Sequence, residues 1–95
     1  MQPEIRVIAA ALIEYVLANR FACDTEEAIE GWWLTDRVQR TQDVSAALEC
    51  LVHRGLWQTS TATDGRTSYR RNAADEALQA ALDEFRRGNQ PKEYV

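Results

Sequence analysis

The apolar period of this chain changes once, at Gly55, and that change limits the folds open to it. Before the glycine, Val44, Ala47, Leu48, Leu51 and Val52 recur at helical spacing. After it, Leu56-Trp57-Gln58-Thr59-Ser60-Thr61 is rich in strand formers. Ala62-Thr63-Asp64-Gly65 contains Asp-Gly, a strong hairpin signal, and Arg66-Thr67-Ser68-Tyr69-Arg70-Arg71 returns as a second strand. The helix begins at Thr41, a good N-cap followed by Gln42 and Asp43, and ends where Gly55 suits a left-handed backbone. The chain must therefore hold a helix that runs directly into a hairpin.

Three more helices fit around this unit. Pro3 suits a first helical turn, and Ile5, Ile8, Ala9, Leu12, Ile13 and Val16 form one stripe, which predicts a helix over 3–19. Asp24-Thr25-Glu26-Glu27 reads as a capping box with Asp24 as the cap, opening a helix to Leu34 that buries Ala28, Ile29 and Trp32. Thr35 to Arg40 has no apolar period and reads as a turn. Asn72 is the expected cap of the last helix, whose stripe is Ala74, Leu78, Ala81, Leu82 and Phe85, with Gly88 closing it. The prediction is one mainly α domain with a small β-hairpin (α+β), order α-α-α-β-β-α, over 1–88, and a loose tail over 89–95.

Composition permits such a domain: 45% of residues are hydrophobic and 27% charged, a globular profile. No apolar run approaches the ~20 residues of a membrane span, and Glu14 interrupts the weakly polar stretch from Val7 to Ala18. Met1-Gln2-Pro3-Glu4 lacks the basic cluster of a secretory signal. Two cysteines, Cys23 and Cys50, cannot build a disulfide scaffold and are expected as free thiols in a reducing cytoplasm. Of 11 basic residues 10 are Arg, and Ala occurs 14 times, a bias that looks like high-GC bacterial coding. The net charge of −4 divides unevenly: −4 over residues 1–35, +2 over 36–71 and −2 over 72–95. A polyanion-binding surface, if there is one, belongs in the middle third.

Over roughly residues 5–85 the chain resembles the winged helix-turn-helix family of bacterial transcriptional regulators. The segment Asp24 to Leu34 looks like that family's second helix. Thr41-Gln42-Asp43-Val44-Ser45-Ala46-Ala47-Leu48-Glu49-Cys50-Leu51-Val52-His53-Arg54-Gly55-Leu56-Trp57 is similar to its recognition helix running into the first wing strand. Thr63-Asp64-Gly65-Arg66-Thr67-Ser68-Tyr69-Arg70 looks like the wing. The resemblance implies duplex DNA as partner, with the third helix in the major groove and the wing on phosphate or minor groove.

Carried over by position, the outward face of that helix presents Thr41, Gln42, Ser45, Ala46 and Glu49. Gln42 suits adenine and Ser45 a base edge or phosphate, while Glu49 either accepts from cytosine or repels phosphate. Arg37, Arg40, Arg66, Arg70 and Arg71 are the expected phosphate contacts, with Arg66 at the wing tip. Five such contacts imply a slope of roughly −4 to −5 in log affinity against log salt. The reading helix face itself carries no Arg or Lys, and this departure, with the acidic total, supports the alternative of a protein–protein interaction module on the same fold.

Other features divide between bland and sharp readings. Cys50 and His53 lie one helical turn apart with Cys23 as a third ligand type, but a structural zinc site needs a fourth, so neither metal nor cofactor is expected. Trp32 and Trp33 point about 100° apart on a helix, so with Trp32 inward, Trp33 either marks a partner surface or packs along the first helix or the hairpin. Leu78, Leu82 and Phe85 either pair the last helix with its twin in a homodimer or close the monomer's core. One histidine, no Gly-rich phosphate loop and no nucleophile with a recognisable base give no support for catalysis.

Overall fold

A computed structural model describes residues 2–34 and 40–89. The order is α1 (Pro3–Ala18), β1 (Cys23–Thr25), α2 (Glu26–Ala28) continuing as a π-helical turn (Ile29–Trp33), α3 (Thr41–His53), β2 (Trp57–Thr61), β3 (Thr67–Arg71) and α4 (Asp75–Asn89). This is a small α+β fold of four helices and a three-stranded antiparallel sheet in the order β1-β3-β2. The expected turn at 35–39, including Arg37, and the tail at 90–95 lie outside the described residues.

Most residues of the expected stripes of α1, α3 and α4 are buried, but Ile5 and Val52 are half-buried and Ala74 is exposed, ahead of the first residue of α4. Ile8, Ala9, Leu12, Ile13 and Val16 of α1 are buried against α3 and α4. Val44, Ala47, Leu48 and Leu51 of α3 join the same core. A Schellman motif ends α3: the Leu56 N–H donates to Leu51 O at 3.0 Å and the Gly55 N–H to Val52 O at 2.9 Å. Gly55 sits at φ 78, with open space where a Cβ would stand. Gly55→Ala is therefore expected to cost about 1–2 kcal/mol from the left-handed backbone alone, read as a lower urea midpoint with unchanged slope. In the hairpin, the Ala62 N–H donates to Arg66 O at 2.8 Å around a turn completed by Gly65 at φ 90.

Five local expectations are corrected. Cys23–Thr25 is a strand, not a helix start: it pairs antiparallel with β3, Asp24 opposite Tyr69. Asp24 is not the cap because its carboxylate accepts from the Trp33 indole N–H at 2.9 Å; Thr25 caps α2 instead, accepting from the Ala28 N–H. Thr41 is the first residue of α3 and Arg40 its cap. Asn72 does not cap α4, which starts at Asp75: Ala74 stands in the cap position, its carbonyl accepting from the Leu78 N–H, while the Asn72 N–H donates to Leu56 O; and α4 continues through Gly88 to Asn89.

The tryptophan pair is reversed. Trp33 is buried (6% exposed) and stacks on Tyr15 of α1, with ring centroids 4.5 Å apart, so it offers no partner surface. Trp32 is 73% exposed. The π turn accounts for the exposure of Trp32: its i→i+5 bonds advance each residue by about 80° instead of the 100° of an α-helix. Trp33 lies about 40° from the buried Ile29 in either geometry, whereas Trp32 moves from about 60° to about 120° away.

The homodimer face on α4 is likewise occupied. Leu78, Leu82 and Phe85 are buried within the monomer, where α4 packs on α1, and Glu14 pairs with Arg86 across that contact. These side chains close the core and are not free for a second copy.

Candidate functional site

Two open depressions that share Tyr69 form a groove along the outward face of α3, the start of α2 and the hairpin. The first, about 820 Å³, is lined by Thr25, Glu26, Glu27, Glu30, Thr41, Arg66, Thr67 and Tyr69, among others. The second, about 690 Å³, is lined by Ala46, Glu49, Cys50, Val52, His53, Thr59 and Tyr69. Thr59 and Tyr69 are cross-strand partners, so their side chains share one face of the sheet, and Tyr69 belongs to both cavities.

The structure gathers much of the expected reading face here, but not in the expected state. Ser45 is half-buried and its hydroxyl donates to Glu26 at 2.7 Å; Thr41 donates to Glu30 at 3.0 Å. Ala46 is half-buried in the second cavity, and Glu49 is an exposed member of its wall. Gln42 is exposed and lines neither cavity.

The arginines scatter. Arg66 stands at the hairpin tip, 77% exposed, 3.8 Å from Asp64. Arg40 is 69% exposed and 3.4 Å from the buried Asp43. Arg70 lies on the face of β3 opposite Tyr69, beside Gln58, whose amide accepts from it at 2.6 Å when turned to donate to Asn72. Arg71 is only 12% exposed: it donates to Ala73 O and to Asp75, and holds the Asp75 carboxyl below its usual range. Arg71 therefore fastens β3 to α4 and has little left for a ligand.

The groove is thus acidic. Glu26, Glu27 and Glu30 line the first cavity and Glu49 the second, and Arg66 is the one arginine among the described lining residues. Tyr69 senses this field: burial, then Glu26 and Glu49, push its phenol above the ordinary 10.0. A tyrosine raised in the folded state stabilises the fold below its ordinary value, and that contribution is lost as pH rises through the raised one. Changing Glu26 and Glu49 to Gln is expected to move ionisation of Tyr69 back toward 10.0, followed as tyrosinate absorbance against a Tyr69→Phe reference. An unmoved midpoint would mean that the carboxylates do not act on the ring.

Sequence reasoning missed the walls of this groove. Glu26 and Glu30 stand 19 and 11 residues from the hydroxyls they hold, and no local pattern announces such pairs. Tyr69 passed as one more strand residue. Among the described residues no group of three His, Cys, Asp or Glu side chains is placed to hold a metal, and Cys23 and Cys50 are both free thiols. No described helix is long and apolar enough to cross a membrane.

No family model, curated protein or solved structure matches this chain.

Proposed function

We propose that the chain is a winged-helix domain working as a protein-interaction module, which meets its partner on the surface between α3 and the hairpin instead of reading duplex DNA there. The winged-helix reading is supported by a helix that ends in Gly55-Leu56 and enters a hairpin, with α4 closing the core behind it.

The observation that carries the functional reading is the pairing of Ser45 and Thr41 with Glu26 and Glu30. Two of the polar side chains best suited to base edges or phosphates already donate to carboxylates. A phosphate about 6 Å from a carboxylate is repelled by roughly 0.7 kcal/mol even in water, and more strongly at the lower effective dielectric of a protein surface. Four such carboxylates outweigh what Arg66 returns. Outside the groove lining, Trp32 and Phe21 are also exposed, a kind of side chain common at protein contacts.

Duplex DNA remains the second reading, favoured by the exposed Arg40, Arg66 and Gln42. Selection from a pool of random duplexes at two salt concentrations separates the two. The interaction reading expects weak retention with no enriched motif and little change in Arg40→Ala or Arg66→Ala. An enriched motif, with a salt slope that falls by about 1 for each arginine removed, would establish DNA reading.

A further inference from the structure

The groove has two ends of different chemistry that meet at one ring. At the first end Glu26, Glu27 and Glu30 supply negative charge, three carboxylates against the one guanidinium of Arg66. At the second, Ala46, Cys50, Val52 and Thr59 present mostly carbon and sulfur, with Glu49 and His53 beside them. Tyr69 is common to both.

We infer that the occupant is an extended segment of a partner protein that carries an arginine or lysine and, two residues away, an aliphatic side chain. This rests on the protein-interaction reading above. The cation sits among the carboxylates against the Tyr69 ring, where carboxylate pairing and cation–π attraction act on the same group. The aliphatic side chain enters the second cavity. Side chains two residues apart on a strand lie on one face and about 7 Å apart, a step that straddles a single tyrosine ring. An acidic segment is repelled along the groove's first half, and a purely apolar one brings no charge to Glu26 and Glu30, which accept from the neutral Ser45 and Thr41 hydroxyls. A second copy of this chain, at net charge −4, is a poor source of the cation.

The probes are three fluorescein-labelled peptides of about 12 residues: an Arg-Ser-Leu-Ser repeat, the same repeat with Glu for Arg, and the same repeat with Ser for Leu. Anisotropy at about 0.15 M salt reads their binding to the full chain. The Arg/Leu peptide is expected to bind saturably, and each of the other two about tenfold or more weaker. Glu26→Gln together with Glu49→Gln changes charge but not shape and is expected to weaken the Arg/Leu peptide by about tenfold. In a Cys23→Ser background, that peptide is also expected to slow alkylation of Cys50, which lines the second cavity.

Absence of saturable binding overturns the inference, as does equal affinity for the Arg/Leu and Arg/Ser peptides, or indifference to the two Glu→Gln changes. Failure of the underlying reading looks different. A random-duplex arm that yields an enriched DNA motif removes the reading and the inference together. Retention of the Glu/Leu peptide, with no DNA motif, removes the inference and leaves a protein partner in place.

Discussion

Trp33→Ala is expected to lower the stability of the domain by about 3–5 kcal/mol, and Trp32→Ala by no more than about 0.5 kcal/mol. The two residues are neighbours of identical chemistry, so the difference comes from their surroundings. Trp33 is buried, stacks on Tyr15 and donates its indole N–H to Asp24. Its removal opens a cavity between α1 and the π turn and leaves the half-buried Asp24 carboxylate without that donor. Trp32 stands in solvent. In a domain of this size each kcal/mol moves the melting temperature by about 4–8 °C, so Trp33→Ala is expected to fall by at least about 12 °C while Trp32→Ala stays close to the parent. Equal losses in the two variants would mean that the turn is an ordinary α-helix with both rings half inside.

The second large effect is at the other end of the core. Phe85→Ala is expected to cost about 3–5 kcal/mol, in an unfolding transition that does not depend on protein concentration. Phe85 is 1% exposed, and the Arg54 guanidinium lies 4.9 Å from its ring centroid while pairing with Glu84 at 2.7 Å. That pairing holds the Glu84 carboxyl below its usual range. Truncating the ring removes both a core side chain and the platform under Arg54. If α4 instead joined two copies through Leu78, Leu82 and Phe85, the melting temperature would rise with concentration and Phe85→Ala would abolish that rise. Melts across a hundredfold concentration range decide it.

Periodicity made the helices and the hairpin legible before any coordinates. The stripes of α1, α3 and α4 and the Gly55 stop all follow from apolar spacing and backbone conformation, which are local properties. The strand at Cys23–Thr25 was not legible, because three residues without apolar alternation carry no strand signal and its stability comes from β3, over 40 residues later. The π turn was hidden for a related reason: Ala28, Ile29 and Trp32 fit an α-helical stripe as well as Ile29 and Trp33 fit the wider one, and the choice falls to the Tyr15 stack and the Asp24 acceptor. For the site, the sequence named Thr41, Ser45, Ala46, Glu49 and Arg66: Thr41 and Arg66 line the first cavity, Ala46 and Glu49 the second, and Ser45 donates to Glu26 at the edge of the first. It could not show that Glu26 and Glu30 cross from another helix to hold two of them. Nor could it show that Arg71 turns back onto Asp75 while Arg70 faces the opposite side of the sheet.

The measurement that tests the central claim most directly is a two-dimensional amide spectrum of the labelled protein, titrated separately with the Arg-Ser-Leu-Ser peptide and with random duplex DNA at about 0.15 M salt. The account predicts that the peptide shifts Glu26, Ser45, Ala46, Glu49 and Tyr69 while the DNA leaves them in place. Saturable DNA-induced shifts at Gln42, Ser45 and Arg66, with the peptide silent, would contradict it.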